Sequence, residues 1–183
     1  MWFDDDTKPC NLNLVGIRHK DHRVTNKFDD VYTISWKHQG LWRFRSFAAT
    51  VDPGTYYSTV KLLNPRGVAI LARGQYRGAY QLDLHRGEYQ ALVQRKPVSV
   101  HRDGNKDNIL DIDPDNIDVG LFGINHHRAH FAGVTQWVNT HSAGCQVLAN
   151  ADDFKELIRL CNKARLSFGN AFTYTLLHEE VDL

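Results

Sequence analysis

Residues 31–51 read VYTISWKHQGLWRFRSFAATV. Two runs rich in β-branched and aromatic residues, VYTISW (31–36) and LWRFRSFAATV (41–51), flank KHQG. That arrangement predicts a β-hairpin. The same pattern continues downstream. GVAIL (67–71), GAYQLDLH (78–85), YQALVQ (89–94) and VSVHR (98–102) are short strand-like runs punctuated by Gly, Pro or Asn. GLFGINHHR (120–128), CQVLA (145–149) and FTYTLL (172–177) complete the set. One stretch departs from it. In NADDFKELIRLCNKARL (150–166), Phe154, Leu157, Ile158 and Cys161 recur at the spacing of a buried helical stripe. Asn150 stands as N-cap, and Asp152 and Asp153 fall in the first turn, where the helix dipole favours negative charge. A shorter helix is expected over VTNKFDD (24–30). The fold class is therefore mainly β (α+β), a β-sandwich or barrel with one C-terminal helix packed on it.

The chain has 183 residues, which suits a single domain over 1–183 with a sizeable core. Residues 1–12 read as a flexible N-terminal segment. Hydrophobic residues make up 42% and charged residues 23%, an ordinary globular balance. The formal net charge is +1 and no stretch is strongly basic, so charge gives no case for nucleic acid as partner. No apolar run approaches the ~20 residues that span a bilayer, so membrane insertion is not expected. The start, MWFDDDTKPC, lacks a basic segment followed by an apolar one. Synthesis in the cytoplasm without a secretory signal is the expectation, and the protein is expected to be a monomer.

Cys10, Cys145 and Cys161 are odd in number and widely spaced, with no C-x-x-C, so they form neither a disulfide framework nor a zinc ribbon. Cys161 lies on the apolar helix stripe and reads as core. Cys145 follows Ser142-Ala143-Gly144, a turn rather than a strand. A glycine before a nucleophile lets backbone N–H groups converge as an oxyanion hole. Histidines, the usual bases for a thiol, crowd the preceding segment at 126, 127, 130 and 141. By chemistry alone, Cys145 reads equally as a nucleophile or as the first residue of a buried strand.

The order, histidine then cysteine, together with the HR…HSAGCQ pattern, resembles the active-site motif of the L,D-transpeptidase (YkuD-like) family. That motif is a histidine followed, after a linker of this length, by Ser/Thr-His-Gly-Cys and then Arg or Asn. His127 precedes Cys145 by 18 positions, and Ser142, Gly144 and Cys145 match. Ala143 stands where the family has histidine, and Gln146 where it has Arg or Asn. The match covers about a tenth of the chain and points to a divergent phage or effector-type member.

The resemblance implies a cysteine enzyme acting on peptidoglycan stem peptides, as L,D-transpeptidase, L,D-carboxypeptidase or hydrolase. Cys145 would be the nucleophile and His127 the base. The backbone N–H groups of Gly144 and Cys145 would hold the oxyanion, and Ser142 would support the loop. Arg128, His141 and Tyr76 are the candidate substrate contacts, and no cofactor is required. A phage lysis enzyme or a delivered effector fits such an activity in a chain without a signal, acting in the periplasm or at the cell wall. The rivals are a non-catalytic wall-binding or phage structural domain of the same fold, and a zinc-dependent hydrolase.

Two further constellations carry alternatives. Tyr76, Arg77 and His85 belong either to half-buried strands or to a cleft wall beside Cys145. Asp103, Asn105, Asp107, Ile109 and Asp111 occupy positions 1, 3, 5, 7 and 9 of a calcium loop, but Asn108 and Pro114 replace its Gly and Glu. A structural calcium ion and a polar hairpin loop both fit that segment.

Overall fold

The computed structural model describes residues 10–21 and 23–182. The protein is mainly β. Its strands are β1 (Asn13–Arg18), β2 (Asp30–His38), β3 (Leu41–Thr50), β4 (Val68–Leu71), β5 (Gly74–His85), β6 (Tyr89–Gln94), β7 (Val98–Asp103), β8 (Ile117–Gly120), β9 (His126–Arg128), β10 (Gln146–Leu148) and β11 (Phe172–His178). Eight of them close into a barrel in the order β1-β11-β5-β6-β9-β10-β3-β2, and β4, β7 and β8 form a separate three-stranded sheet. Closure leaves the barrel without an open edge. Among the described residues no helix is long and apolar enough to cross a membrane.

The 31–51 hairpin forms as expected. Asp30–His38 pairs antiparallel with Leu41–Thr50, and Gln39 and Gly40 both take positive φ at the turn (52° and 73°). Tyr32, Ile34 and Trp36 alternate inward, as a strand with one buried face must. The barrel interior is unusually aromatic. Tyr32, Tyr80 and Tyr174 surround His126, whose Nδ1 lies 2.8 Å from the Tyr32 hydroxyl. Gly16 has no room for a side chain, because an added Cβ would fall 1.7 Å from the Tyr174 hydroxyl.

Helix α1 (Ala151–Phe168) buries Phe154, Leu157, Leu160, Cys161 and Ala164, and the Asn150 side chain accepts from the Asp152 N–H. It packs beside β6, β9 and β10. Those three strands are consecutive in the barrel, so α1 clamps the pair that leads into the histidine and cysteine segments. Strand β4 is buried along its whole length. Ala69 and Leu71 join the main core, and Val68 and Ile70 join a second cluster with Val24 and Leu110. A four-residue apolar run with both faces covered is the form such a strand takes.

The structure corrects several expectations. VTNKFDD is not helical. Asn26 takes φ +60°, Lys27 bridges to Trp137, and the Asn26 side chain and carbonyl hold Asn139 and Val138. These non-local bonds use the backbone groups a helix would need. The 120–128 run is not one strand, since β8 ends at Gly120 and β9 begins at His126. Between them the Gln94 side-chain oxygen accepts the Phe122 and Ile124 N–H groups and takes the place of a neighbouring strand. Residues 1–9 of the expected flexible segment lie outside the described residues. Its last part is docked: Cys10 is 1% exposed and Leu12 packs on the core.

Candidate active site

Strand register fixes which histidine faces which way. β9 and β10 run parallel, with Gln146 beside His126 and Val147 beside His127. Gln146 points into the barrel, where its side-chain oxygen accepts from the Tyr174 hydroxyl at 2.7 Å. His126 points inward too. Alternation along β9 therefore turns His127 to the outer face, whereas Cys145 lies one residue before β10. The inward glutamine also gives a structural reason for Gln146: its amide donates to the Val51 and Gly144 carbonyls, tying the barrel to the cysteine corner.

The corner itself is held by Ser142, whose Oγ accepts from the Gly144 N–H (3.1 Å) and donates to the Cys145 carbonyl (2.9 Å). Gly144 takes φ +116°, and an added Cβ would lie 2.1 Å from the Ala69 carbonyl oxygen. Only glycine fits there. The expectation that the Gly144 N–H serves an oxyanion needs correction, because that donor is committed to Ser142. The Asn125 backbone N–H is instead directed at the thiol. The Cys145 Sγ–H donates to the Gly123 carbonyl at 3.4 Å. Burial pushes the Cys145 thiol above its ordinary value, against the Asn125 N–H and the charge of Arg86.

His127 is buried, and its Nδ1 lies 2.9 Å from the Arg128 carbonyl oxygen. A carbonyl only accepts, so Nδ1 carries the proton. Burial lowers the imidazole to about 3, against the stabilising bond to Arg128 and with the charges of His85 and Arg86 adding to the fall. The ring is thus neutral near pH 7 and its Nε2 holds the lone pair, as a general base requires.

His127 stacks on His85, with ring centroids 4.4 Å apart and planes 24° apart. His85 also lines the cleft of about 360 Å³ onto which Cys145 opens, together with Asn64, Arg86, Arg102, Asn125 and Ala143. Ala143 puts only a methyl group on that wall. A second cleft of about 250 Å³ is lined by His127, Arg128, His130, His141 and Tyr89. His85 and Arg86 belong to both clefts. The Asn125 side-chain oxygen accepts from the Gln94 N–H, which leaves its amide to donate to His85 Nδ1 at 3.1 Å. His85 consequently carries its proton on Nε2 and acts as a donor.

The other candidate residues divide. Arg128 stacks its guanidinium 4.0 Å over Tyr89 and reaches the second cleft, as does His141. Tyr76 lies apart: its hydroxyl donates to the Ala72 and Ser99 carbonyls, and it lines neither cleft. Burial pushes its hydroxyl up to about 12. His85, one of the two readings for that wall, is the member of the group that reaches the cysteine cleft. Cys161 is fully buried in the core, and burial pushes its thiol far up.

Among the described residues no three His, Cys, Asp or Glu side chains stand together as a ready metal site. His126 and His130, four apart in sequence, lie apart in the fold, one inside the barrel and the other on the surface. In the 103–111 loop, the Asn105 amide donates to both Asp107 and Asp111 at 3.1 Å. Asn108 takes φ +68°, supplying the left-handed turn that glycine provides in a calcium loop. Compared with protein-family models, with curated proteins and with solved structures, the chain has no match.

Proposed function

We propose that the protein is a cysteine-dependent enzyme acting on peptidoglycan stem peptides, by transpeptidation, carboxypeptidation or hydrolysis. The observation that carries this reading is the state of His127. It is a neutral imidazole with its Nδ1 proton fixed on the Arg128 carbonyl, facing outward on β9, which pairs with the strand that begins immediately after Cys145. His127 and Cys145 line two clefts that share His85 and Arg86, and acyl transfer would need the imidazole to reach the thiol across that shared wall.

In the proposed cycle the thiol proton passes to His127 Nε2 as Sγ attacks the scissile carbonyl. The tetrahedral oxyanion then collapses, the C–N bond breaks, and His127 returns the proton to the leaving amine. A thioester on Cys145 remains. An acceptor amine or water attacks it, loses its proton to His127, and regenerates the thiol. In this reading the Asn125 N–H and the His85 Nε2–H, on the cleft wall that Cys145 shares, would hold the oxyanion in place of the Gly144 N–H. The thiol is not ionised at rest, so proton transfer and attack occur together when substrate excludes water from the cleft.

The test is mass spectrometry of purified muropeptides incubated with wild type and with Cys145→Ala. The expected result is loss of D-alanine or a new cross-link with wild type alone. If wild type leaves every muropeptide unchanged yet still binds the wall polymer, the protein is a binding module. Activity that survives in Cys145→Ala but disappears with a chelator makes it a metal hydrolase.

A further inference from the structure

The β5–β6 turn, His85-Arg86-Gly87-Glu88, places a cation on the wall of the cleft onto which Cys145 opens. Arg86 sits at φ +54° and Gly87 at +77°, and the Glu88 N–H closes the turn on the His85 carbonyl at 3.0 Å. A non-glycine residue in the left-handed region carries strain that the surroundings must offset. Here that conformation directs a long cationic side chain into the walls of both clefts.

Three observations show the charge to be available. Among the described residues the wall of the cysteine cleft contains no carboxylate. Its other guanidinium, Arg102, is already committed to Asp118, to the Gly67 carbonyl and to the face of Phe122. Arg86 forms no ion pair with any described carboxylate, and it is the charged group that acts on the Cys145 thiol. In the second cleft Glu88 is the one acid, alongside Arg128, His130 and His141.

We propose that Arg86 is the anion-recognition residue of this site: it binds a carboxylate that the acyl donor carries beside its scissile carbonyl. Specificity follows from the chemistry. A planar guanidinium pairs with a carboxylate through two parallel N–H bonds. An uncharged donor would leave that cation facing a cleft with no anion. The position following Cys145 cannot serve, because Gln146 is turned into the barrel. The identification of the bound group as part of an acyl donor rests on the enzyme reading above, whereas the capture of an anion next to Cys145 does not.

Alkylation of Cys145 separates the two. Iodoacetate and iodoacetamide are close in size and differ in charge, and neither requires turnover. Their rates at Cys145 are measured, in the full-length protein at low salt, for wild type, Arg86→Gln and Arg86→Lys. The expected ratio of iodoacetate to iodoacetamide rate falls at least about fivefold in Arg86→Gln, is largely kept in Arg86→Lys, and shrinks in wild type as salt is raised. Melting curves check that the exposed turn still folds. A ratio unchanged in folded Arg86→Gln overturns the proposal, whatever the muropeptide assay gives. If the ratio falls, a second arm compares a tetrapeptide donor with its carboxamide. Arg86→Gln is expected to raise KM about tenfold or more for the acid and not for the amide. An equal effect on both donors overturns the substrate assignment.

Discussion

At Cys145 two opposing influences meet. Burial raises the thiol, while the Asn125 N–H and Arg86 lower it, and burial prevails. His127 is lowered to about 3. A thiol above its ordinary value and an imidazole this low disfavour a resting thiolate–imidazolium pair at neutral pH. The iodoacetamide rate at Cys145 is therefore expected to climb steadily from pH 6 to 9, with no plateau. A plateau below pH 7 would mean that the ion pair exists. Cys161, sealed in the core, is expected to react only after unfolding. The base assignment has its own test. His127→Gln should reduce turnover at least about a hundredfold, the scale of general-base catalysis. Because the ring is buried against His85, glutamine is preferred to alanine, which would leave a cavity. Near-full activity in His127→Gln, with loss in His141→Ala, would move the base to the second cleft's rim.

At the level of elements, legibility depended on whether local pattern or distant contacts set the backbone. The 31–51 hairpin and the 150–166 helix carry their own signals, since turn geometry, cap and apolar stripe lie within the segment. The split of His126 and His127 to opposite faces also follows from strand alternation. Strand β1 was illegible: its core position Gly16 carries no side chain, and its parallel partner β11 is far away in sequence. VTNKFDD failed for a related reason, its polar groups being taken by residues 137–139. The place of His85 and Arg86 is hidden in the sequence, because a turn between two strands looks like any polar hairpin until the barrel brings it to the cleft that Cys145 shares. The 103–111 loop is the intermediate case. Its spacing is plain in the sequence, but the bridge that the Asn105 amide makes to Asp107 and Asp111, where a cation would otherwise sit, arises only in the folded loop. The expected melting midpoint is the same in saturating calcium and in chelator. A calcium-dependent rise would show that Asn105 gives way and that the ion, with Asp103, closes the loop.

For the whole molecule, the aromatic barrel core creates a dependence on pH that the site inherits. His126 is fully buried among Tyr32, Tyr80 and Tyr174; its Nδ1 meets the Tyr32 hydroxyl, and its Nε2 has no hydrogen-bond partner. Burial, with a smaller contribution from His127, lowers its imidazole to about 3 from an ordinary 6.5. Between those values the unfolded chain binds a proton that the folded barrel refuses. Stability therefore falls as pH drops from about 6.5 toward 3, and is fully present above 6.5. His127 acts in the same direction. Asp30 acts in the opposite one: burial and the neighbouring Asp52 raise its carboxyl to about 8, so its contribution is lost as pH rises. The overall profile mixes these signs, and a single melt cannot assign them. The difference between wild type and His126→Gln can, because Asp30 and His127 are common to both. Glutamine does not titrate, so the midpoint of the variant relative to wild type should rise as pH is lowered from 7 to 4. Since β9 carries both the inward His126 and the outward His127, loosening the core ring on acidification should also release the base. Wild-type activity should then fall in step with the melt. A midpoint difference that stays constant from pH 7 to 4 would mean that His126 does not titrate on unfolding and that the acid sensitivity of the barrel lies elsewhere.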